Sequence, residues 1–150
     1  MSFLVDTNVL LRSVQPAHPM HAVAIGSLKA LMEEEVPLSI AFQNLAEFWN
    51  TATRPVVYNG LGLTIEETRE EVTRLEDFFQ VLTENSTSYG IWKALVLTSR
   101  VVGVQVHDAR LAAMMKTYDI PNVLTFNVAD FSRFPGIAAI HPSDVFKTIR

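Results

Sequence analysis

The sequence predicts an α/β fold: a single domain over residues 1–150, with a central, mainly parallel sheet of about five strands flanked by helices. Three observations predict it. Short apolar runs alternate with longer amphipathic stretches, which is the pattern of βαβ units. The chain has 150 residues, 49% of them hydrophobic, enough for one sizeable core and too apolar for disorder. Asp6 closes the first apolar run, Phe3-Leu4-Val5, and Thr7-Asn8-Val9-Leu10-Leu11 then starts a helical pattern. A carboxylate therefore stands where a strand gives way to a helix, the edge at which open parallel sheets bind ligands.

The strand candidates are Ser2–Val5, Leu38–Ile40, Phe79–Leu82, Asn122–Thr125 and a short Ala138–His141. The first helix is expected over Asp6–Ser13. A second, His18–Glu35, carries Val23, Leu28, Leu31 and Met32 as its apolar positions, and a third, Phe42–Thr53, carries Leu45, Phe48, Trp49 and Ala52. Arg54 to Gly62 holds Pro55, Gly60 and Gly62 and reads as a loop, either a flap over a site or a plain connection. Thr64-Ile65-Glu66-Glu67 reads as a capping box opening a helix to about Asp77. Thr87–Val102 is helical with Ile91, Leu95 and Val102 inward, and Asp108–Tyr118 places Leu111, Ala112 and Met115 on one stripe.

Net charge is −4, which argues against binding nucleic acid by a broad basic face. It leaves open an enzyme that meets phosphates through bound cations, since an acidic metal site adds negative charge of its own. There are no cysteines, so disulfides, thiolate zinc sites and cysteine nucleophiles are excluded. No apolar run reaches the roughly 18 residues of a membrane span. The start Met-Ser-Phe-Leu-Val-Asp lacks a basic n-region, so a cytoplasmic location without membrane association is expected.

Four acids stand apart from the charged surface runs Glu33-Glu34-Glu35 and Glu66, Glu67, Glu70 and Glu71. Asp6 reads either as a helix N-cap or as a ligand, and Thr7 and Asn8 are both able to cap in its place. Glu47 is the only acid on an apolar helix, on a narrow stripe with Asn44 and Thr51. Asp108 follows Val104-Gln105-Val106-His107 at the start of a helix, again as cap or ligand. His107 beside it is read as structural. In Val123-Leu124-Thr125-Phe126-Asn127-Val128-Ala129-Asp130-Phe131, Thr125, Asn127 and Asp130 share a strand's C-terminal end, with a turn role as the plainer reading of Asp130. Phe78-Phe79 and Trp92 read as core or subunit interface.

These segments together resemble the PIN domain family. Asp6-Thr7-Asn8-Val9-Leu10-Leu11 is similar to its opening motif, and Glu47 in Leu45-Ala46-Glu47-Phe48-Trp49 to its mid-chain acid. Val106-His107-Asp108-Ala109-Arg110-Leu111-Ala112-Ala113 resembles the third motif and Leu124-Thr125-Phe126-Asn127-Val128-Ala129-Asp130-Phe131 the last. The order is the family's, over nearly the whole chain, and the size and ending are most like VapC-type toxins of toxin–antitoxin systems. One position departs. Many members carry a fourth acid two residues after the Thr of the last motif, and here Asn127 stands there, with Asp130 three residues on.

The resemblance implies a Mg²⁺- or Mn²⁺-dependent endoribonuclease, the toxin of a type II pair. It implies Asp6, Glu47 and Asp108 as catalytic acids that also hold the metal; at the fourth place either Asp130 serves as a further metal ligand or the site runs on three acids. Thr7, Asn8, Thr125 and Asn127 would orient carboxylates and water. Hard cations take oxygen ligands, and apposed carboxylates repel until a cation relieves them. RNA contact would fall to Arg12, Arg54, Arg110 or Arg133, each of which taken singly reads as a plain surface charge. Partners implied are the RNA substrate, a second copy in a homodimer and a small antitoxin. The apolar helices His18–Glu35 and Thr64–Asp77 with Phe78-Phe79 read either as surfaces for such partners or as faces buried in the chain's own core. Three alternatives stay open. One is a PIN RNA-processing nuclease without an antitoxin. Another is a non-catalytic binding module, kept in view by Asn127. The third is a haloacid-dehalogenase-like phosphohydrolase, which needs an Asp where Asn8 stands.

Overall fold

A computed structural model describes residues 1–149. The opening apolar run forms β1 (Phe3–Val5), with all three residues fully buried. Successive side chains leave a strand on opposite faces. Phe3 and Val5 accordingly join one apolar core and Leu4 another. Burial on both faces is why this strand reads as unbroken apolar sequence rather than as alternation.

β2 (Leu38–Ala41), β3 (Gln80–Leu82), β4 (Asn122–Leu124) and β5 (Ala138–Ile140) complete a five-stranded sheet. Its order is β3-β2-β1-β4-β5, and every neighbouring pair is parallel. Seven helices accompany it among the described residues: α1 (Thr7–Ser13), α2 (His21–Glu33), α3 (Phe42–Thr53), α4 (Ile65–Phe78), α5 (Ser86–Thr98), α6 (Val106–Thr117) and α7 (Val145–Thr148). Val9, Leu10, Leu31, Phe48, Leu75 and Val145 bring α1–α4 and α7 onto the Phe3/Val5 face. Leu95, Leu111 and Met115 bring α5 and α6 onto the Leu4 face, together with Phe131 and Phe134.

The strand order creates the site. The chain builds outward from β1 through β2 to β3, then crosses to β4 on the other side of β1. After β1 it enters α1 on one face, and after β4 it enters a short 3-10 turn, Val128–Phe131, on the other. Between two strands whose continuations diverge there is a crevice at their C-terminal ends, the usual ligand position in such sheets.

Each strand lies within a residue or two of its expected place, and α3 matches its expected bounds. The other helices differ at their ends. α2 begins at His21, because residues 14–20 form turns that include Pro16 and Pro19. α5 ends at Thr98, where Arg100 adopts a left-handed φ of 51°, and Val102 is exposed rather than inward. Met32, Trp49 and Phe78 also face solvent. Arg54–Gly62 is a built connection rather than an open flap. Leu61 N–H donates to the Thr51 carbonyl (3.0 Å) and Leu63 N–H to that of Ala52 (2.9 Å). Its Gly60 lies so close to Arg54 that a Cβ there would fall 1.8 Å from the Arg54 carbonyl oxygen.

Candidate active site

Asp6 sits at the last bond of β1. Its backbone N–H donates to the Leu124 carbonyl (2.9 Å), so the two central strands pair up to the site itself. It is the N-cap of α1, so the cap reading holds by position. Thr7 and Asn8 do not cap in its place, because their side chains are engaged elsewhere. Asp6 Oδ1 accepts from the Thr7 N–H (2.8 Å), and Oδ2 accepts from the Thr125 hydroxyl (2.8 Å) and the Asn8 amide (3.4 Å). Asn8 spans the crevice: its Nδ2 also donates to Thr125 Oγ1 (3.2 Å), and its Oδ1 accepts from Phe126 N–H (3.1 Å). Thr125, 0% exposed, further accepts from Asn127 N–H (3.0 Å).

Thr7 continues the network toward α3. Its hydroxyl donates to Glu47 Oε1 at a long 3.5 Å and accepts from Asn44 Nδ2 at 3.1 Å. Asn44 is 0% exposed, and its Oδ1 accepts the Ala41 N–H (2.8 Å) at the start of the same helix. A polar residue at the third helical position that reaches back to the N-cap N–H is half of a capping box. Here its other end orients the threonine under Glu47. Sequence reasoning placed Asn44 on the Glu47 stripe and gave it no role. The cue was a polar side chain in the first turn of an apolar helix.

Asp108 does not cap α6. The helix begins two residues earlier, at Val106, and Asp108 lies in its first turn, where a carboxylate suits the helix dipole. The preceding peptide is held by Gln43, whose Nε2 donates to the His107 carbonyl at 3.0 Å. Gln43 is 7% exposed and its Oε1 is buried without a hydrogen-bond partner. No sequence signal marks Gln43, since its contact is with residues 64 positions away.

The four acids share one electrostatic neighbourhood. Burial pushes Asp6 up to about 6 despite the Thr125 and Thr7 hydrogen bonds, and the charges of Glu47 and Asp130 push the same way. Asp108 also rises to about 6, first through burial, then through Asp130, Asp6 and Glu47, with Arg133 opposing. Asp130, exposed on the 3-10 turn after β4, therefore acts on both. Asn127 contributes its backbone N–H to Thr125, and its side chain is exposed.

The arginines divide. Arg110 forms a forked pair with Glu84 that raises its pKa, and the charge of Glu47 adds to the rise. Arg133 donates to Gln105 and faces Asp108. Arg12 lies in the last turn of α1, bonded to Gln15 (2.7 Å). Arg54 closes α3, whose 12 residues at about 1.5 Å each set it far down the helix from the sheet edge. Its guanidinium donates to the Asn59 carbonyl (3.2 Å). The structure thus brings Asp6, Glu47, Asp108, Asp130, Thr7, Asn8 and Thr125 together, with Arg133 and Arg110 flanking, and not Arg12 or Arg54.

A hard divalent cation suits this donor set chemically: all four are carboxylates, and two of them are made costly to ionise by burial and by neighbouring acids. As the side chains stand, no three Asp, Glu or His among the described residues converge tightly enough to hold an ion. Glu47 and Asp130 are exposed, while Asp6 is half-buried against Thr125. No helix among the described residues is long and apolar enough to cross a membrane.

No curated protein matches the chain. Solved structures resemble it in fold. VapBC2 from Rickettsia felis, crystallised with a DNA fragment from its promoter, superposes with a TM-score of 0.72 at 13% identity, covering 94% of this chain and 98% of that one. FitAcB from Neisseria gonorrhoeae gives 0.68 at 19%, with coverage of 94% and 98%. VapC20 from Mycobacterium tuberculosis, a sarcin–ricin-loop-cleaving toxin, gives 0.58 at 20%, with 81% and 87% covered. The family model of the PIN domain matches residues 3–137, a span that contains Asp6, Glu47, Asp108 and Asp130 alike. With the motif order, the parallel five-stranded sheet and the acids at its central switch point all in agreement, the chain belongs to the PIN domain family.

Proposed function

We propose that the chain is a divalent-metal-dependent endoribonuclease and the toxin of a type II toxin–antitoxin pair. The observation that carries the catalytic reading is that burial, with the charges of Glu47 and Asp130 beside it, raises both Asp6 and Asp108 at one strand edge. A fold does not keep repelling carboxylates at one strand edge for stability, and perturbed acids in a crevice mark functional sites. Family membership and the RNA-cleaving neighbour VapC20 support the same reaction.

Asp6 and Asp108 would hold Mg²⁺ or Mn²⁺, with Glu47 and Asp130 completing the set directly or through water. When bound, the cation supplies positive charge to the phosphate oxygens and acidifies water, so no side-chain general base is assigned. The chain's own residues fix the geometry. Thr125 and the Thr7 N–H direct one Asp6 oxygen each. Asn44 holds Thr7 against Glu47, and Gln43 anchors the peptide before Asp108. Arg133 and Arg110 supply the cations beside the acids for the RNA backbone, which carries the same phosphate charge along its length.

The neighbours that contain toxin–antitoxin complexes support an antitoxin partner. A groove of about 490 Å³ between α2 and α4, lined by Val14, Ile25, Leu28, Met32, Leu75 and Phe78, is the apolar surface offered for it. A homodimer is proposed through exposed apolar residues on the other side of the sheet, Leu97, Val102 and Val104. The cytoplasm follows as the place where RNA and antitoxin meet.

The test is cleavage of single-stranded RNA by the purified chain with Mg²⁺ or Mn²⁺ and with EDTA. Cleavage that needs the cation, and that falls by about 10²-fold or more in Asp6→Asn and Asp108→Asn, is expected. Equal cleavage by either variant would sink the assignment.

A further inference from the structure

A second cavity lies along the same sheet edge, outside the acid cluster. It measures about 270 Å³ and is lined by Glu84, Asn85, Ser88, Tyr89, Trp92 and Arg110. Pockets for drug-sized ligands run from about 300 Å³ upward, so this one suits a single planar ring system. Glu84 lies two residues beyond the end of β3, at the same strand ends as Asp6 and Thr125. The cavity is therefore displaced sideways from the acids, across β2.

Its walls have two kinds of surface. Tyr89 and Trp92 are successive-turn neighbours on α5, with ring centroids 6.4 Å apart and planes inclined by 32°. Tyr89 is 63% exposed. Trp92 is fixed from behind, its indole N–H donating to the Val106 carbonyl at 3.1 Å, two residues before Asp108. Opposite them the Glu84–Arg110 fork presents a carboxylate and a guanidinium side by side, one accepting and one donating. The start of α5 keeps its own polar groups occupied, with the Asn85 and Ser88 side chains capping one another's backbone N–H. The Glu84–Arg110 pair uses Arg110 Nε and Nη2 and one lone pair on each Glu84 oxygen, so Nη1 and the remaining carboxylate lone pairs address a ligand, and the faces are aromatic.

We infer that this cavity is a nucleobase subsite, in which one unpaired base of the RNA stacks on Tyr89 and Trp92 while its edge meets Glu84 and Arg110. The inference rests on the reading of the chain as an endoribonuclease. Aromatic faces bind bases whose planes are free, which selects single-stranded or looped RNA over duplex. The paired acid and base at the rim match the mixture of donors and acceptors on a base edge. The Arg110 side chain joins the two sites, since it lines the cavity and also feels the Glu47 charge. A phosphate at the acids and a base in the cavity would then belong to one strand crossing the sheet edge. Because net charge is −4, such a stacking contact carries binding that bulk charge does not.

The test uses Trp92 as its own reporter. In a Trp49→Phe background Trp92 is the remaining tryptophan, as the chain has two. Single-stranded RNA, with EDTA present to prevent cleavage, should quench its fluorescence, and duplex RNA of the same sequence should not. Tyr89→Ala should weaken RNA binding about 5- to 100-fold, and with metal the loss should fall on KM rather than kcat. Tyr89→Phe keeps the ring and should restore binding, which separates stacking from a general effect on the fold. Unchanged affinity in Tyr89→Ala, or equal quenching by duplex, overturns the subsite while leaving the nuclease reading intact. Quenching by single-stranded RNA with no cleavage under any metal condition upholds the subsite and instead removes the nuclease reading.

Discussion

The Thr125 hydroxyl donates to Asp6 Oδ2 at 2.8 Å, tying the C-terminal ends of β1 and β4 through the one carboxylate that stands between them. That bond favours the ionised form of Asp6 and opposes the burial that raises its pKa to about 6. Thr125 is also the acceptor for Asn8 and for the Asn127 N–H. Thr125→Val keeps the shape and removes all three contacts. It should cost about 1–3 kcal/mol, because buried partners are left unsatisfied. The Asp6 pKa should climb further, and the acid limb of the activity profile should move to higher pH. NMR titration of Asp6 and a thermal melt check the two effects, and Thr125→Ser should restore most of both.

The elevation of Asp108 makes a prediction with a definite sign. A carboxylate whose pKa is raised on folding from 3.8 to about 6 favours the folded state only while protonated. Its cost is absent below about pH 4, grows as the pH rises through 6, and is complete above that. Asp108→Asn removes the charge. In metal-free buffer it should raise Tm at pH 8 by roughly 3–5 °C, after discounting for partial exposure, at the usual scale of about 2–4 °C per kcal/mol for a chain of this size. At pH 4 the two proteins should melt together. A variant less stable than its parent at pH 8 would contradict the repulsion described for the four acids.

A divalent cation should relieve the same repulsion. Binding to the folded state alone stabilises by about 2.7 kcal/mol at a hundredfold excess over Kd. Mn²⁺ should therefore raise Tm by roughly 5–10 °C at pH 8. At pH 5 the effect should shrink, since protons compete for Asp6 and Asp108. Asp6→Asn should lose most of the shift at either pH. Equal shifts in the variant and its parent would place the ion elsewhere.

The central strands were legible because they are buried on both faces. Phe3-Leu4-Val5 and Val123-Leu124 have no polar alternative to hide, so apolar runs and strands coincide. Helix ends were less legible. Asp108 looked like a cap, yet α6 starts at Val106 after a 3-10 turn that no residue type announces. Met32, Trp49 and Val102 fit an apolar stripe in sequence and face solvent in the fold, because periodicity does not say where a neighbouring element ends. The acids were legible through motif order, while their supports were not. Gln43 and Asn44 act through partners 64 and 37 residues away, and Glu84 matters only because Arg110 folds against it.

Asn44 is where this support is most exposed to test. It is fully buried, and its two hydrogen bonds link the start of α3 to the Thr7 hydroxyl that touches Glu47. Asn44→Ala removes both links and should cost about 1–3 kcal/mol in stability. Asn44→Asp keeps the acceptor for the Ala41 N–H, so α3 should still start correctly. It loses the donor to Thr7 and adds a negative charge beneath Glu47. If Asn44 only caps the helix, the aspartate variant should cleave RNA as the parent does. If it positions Thr7 and Glu47, kcat should fall about tenfold or more with KM little changed, and the metal concentration needed for half-maximal cleavage should shift. Cleavage assays across a metal titration, run on variants shown to be folded by circular dichroism, separate the two.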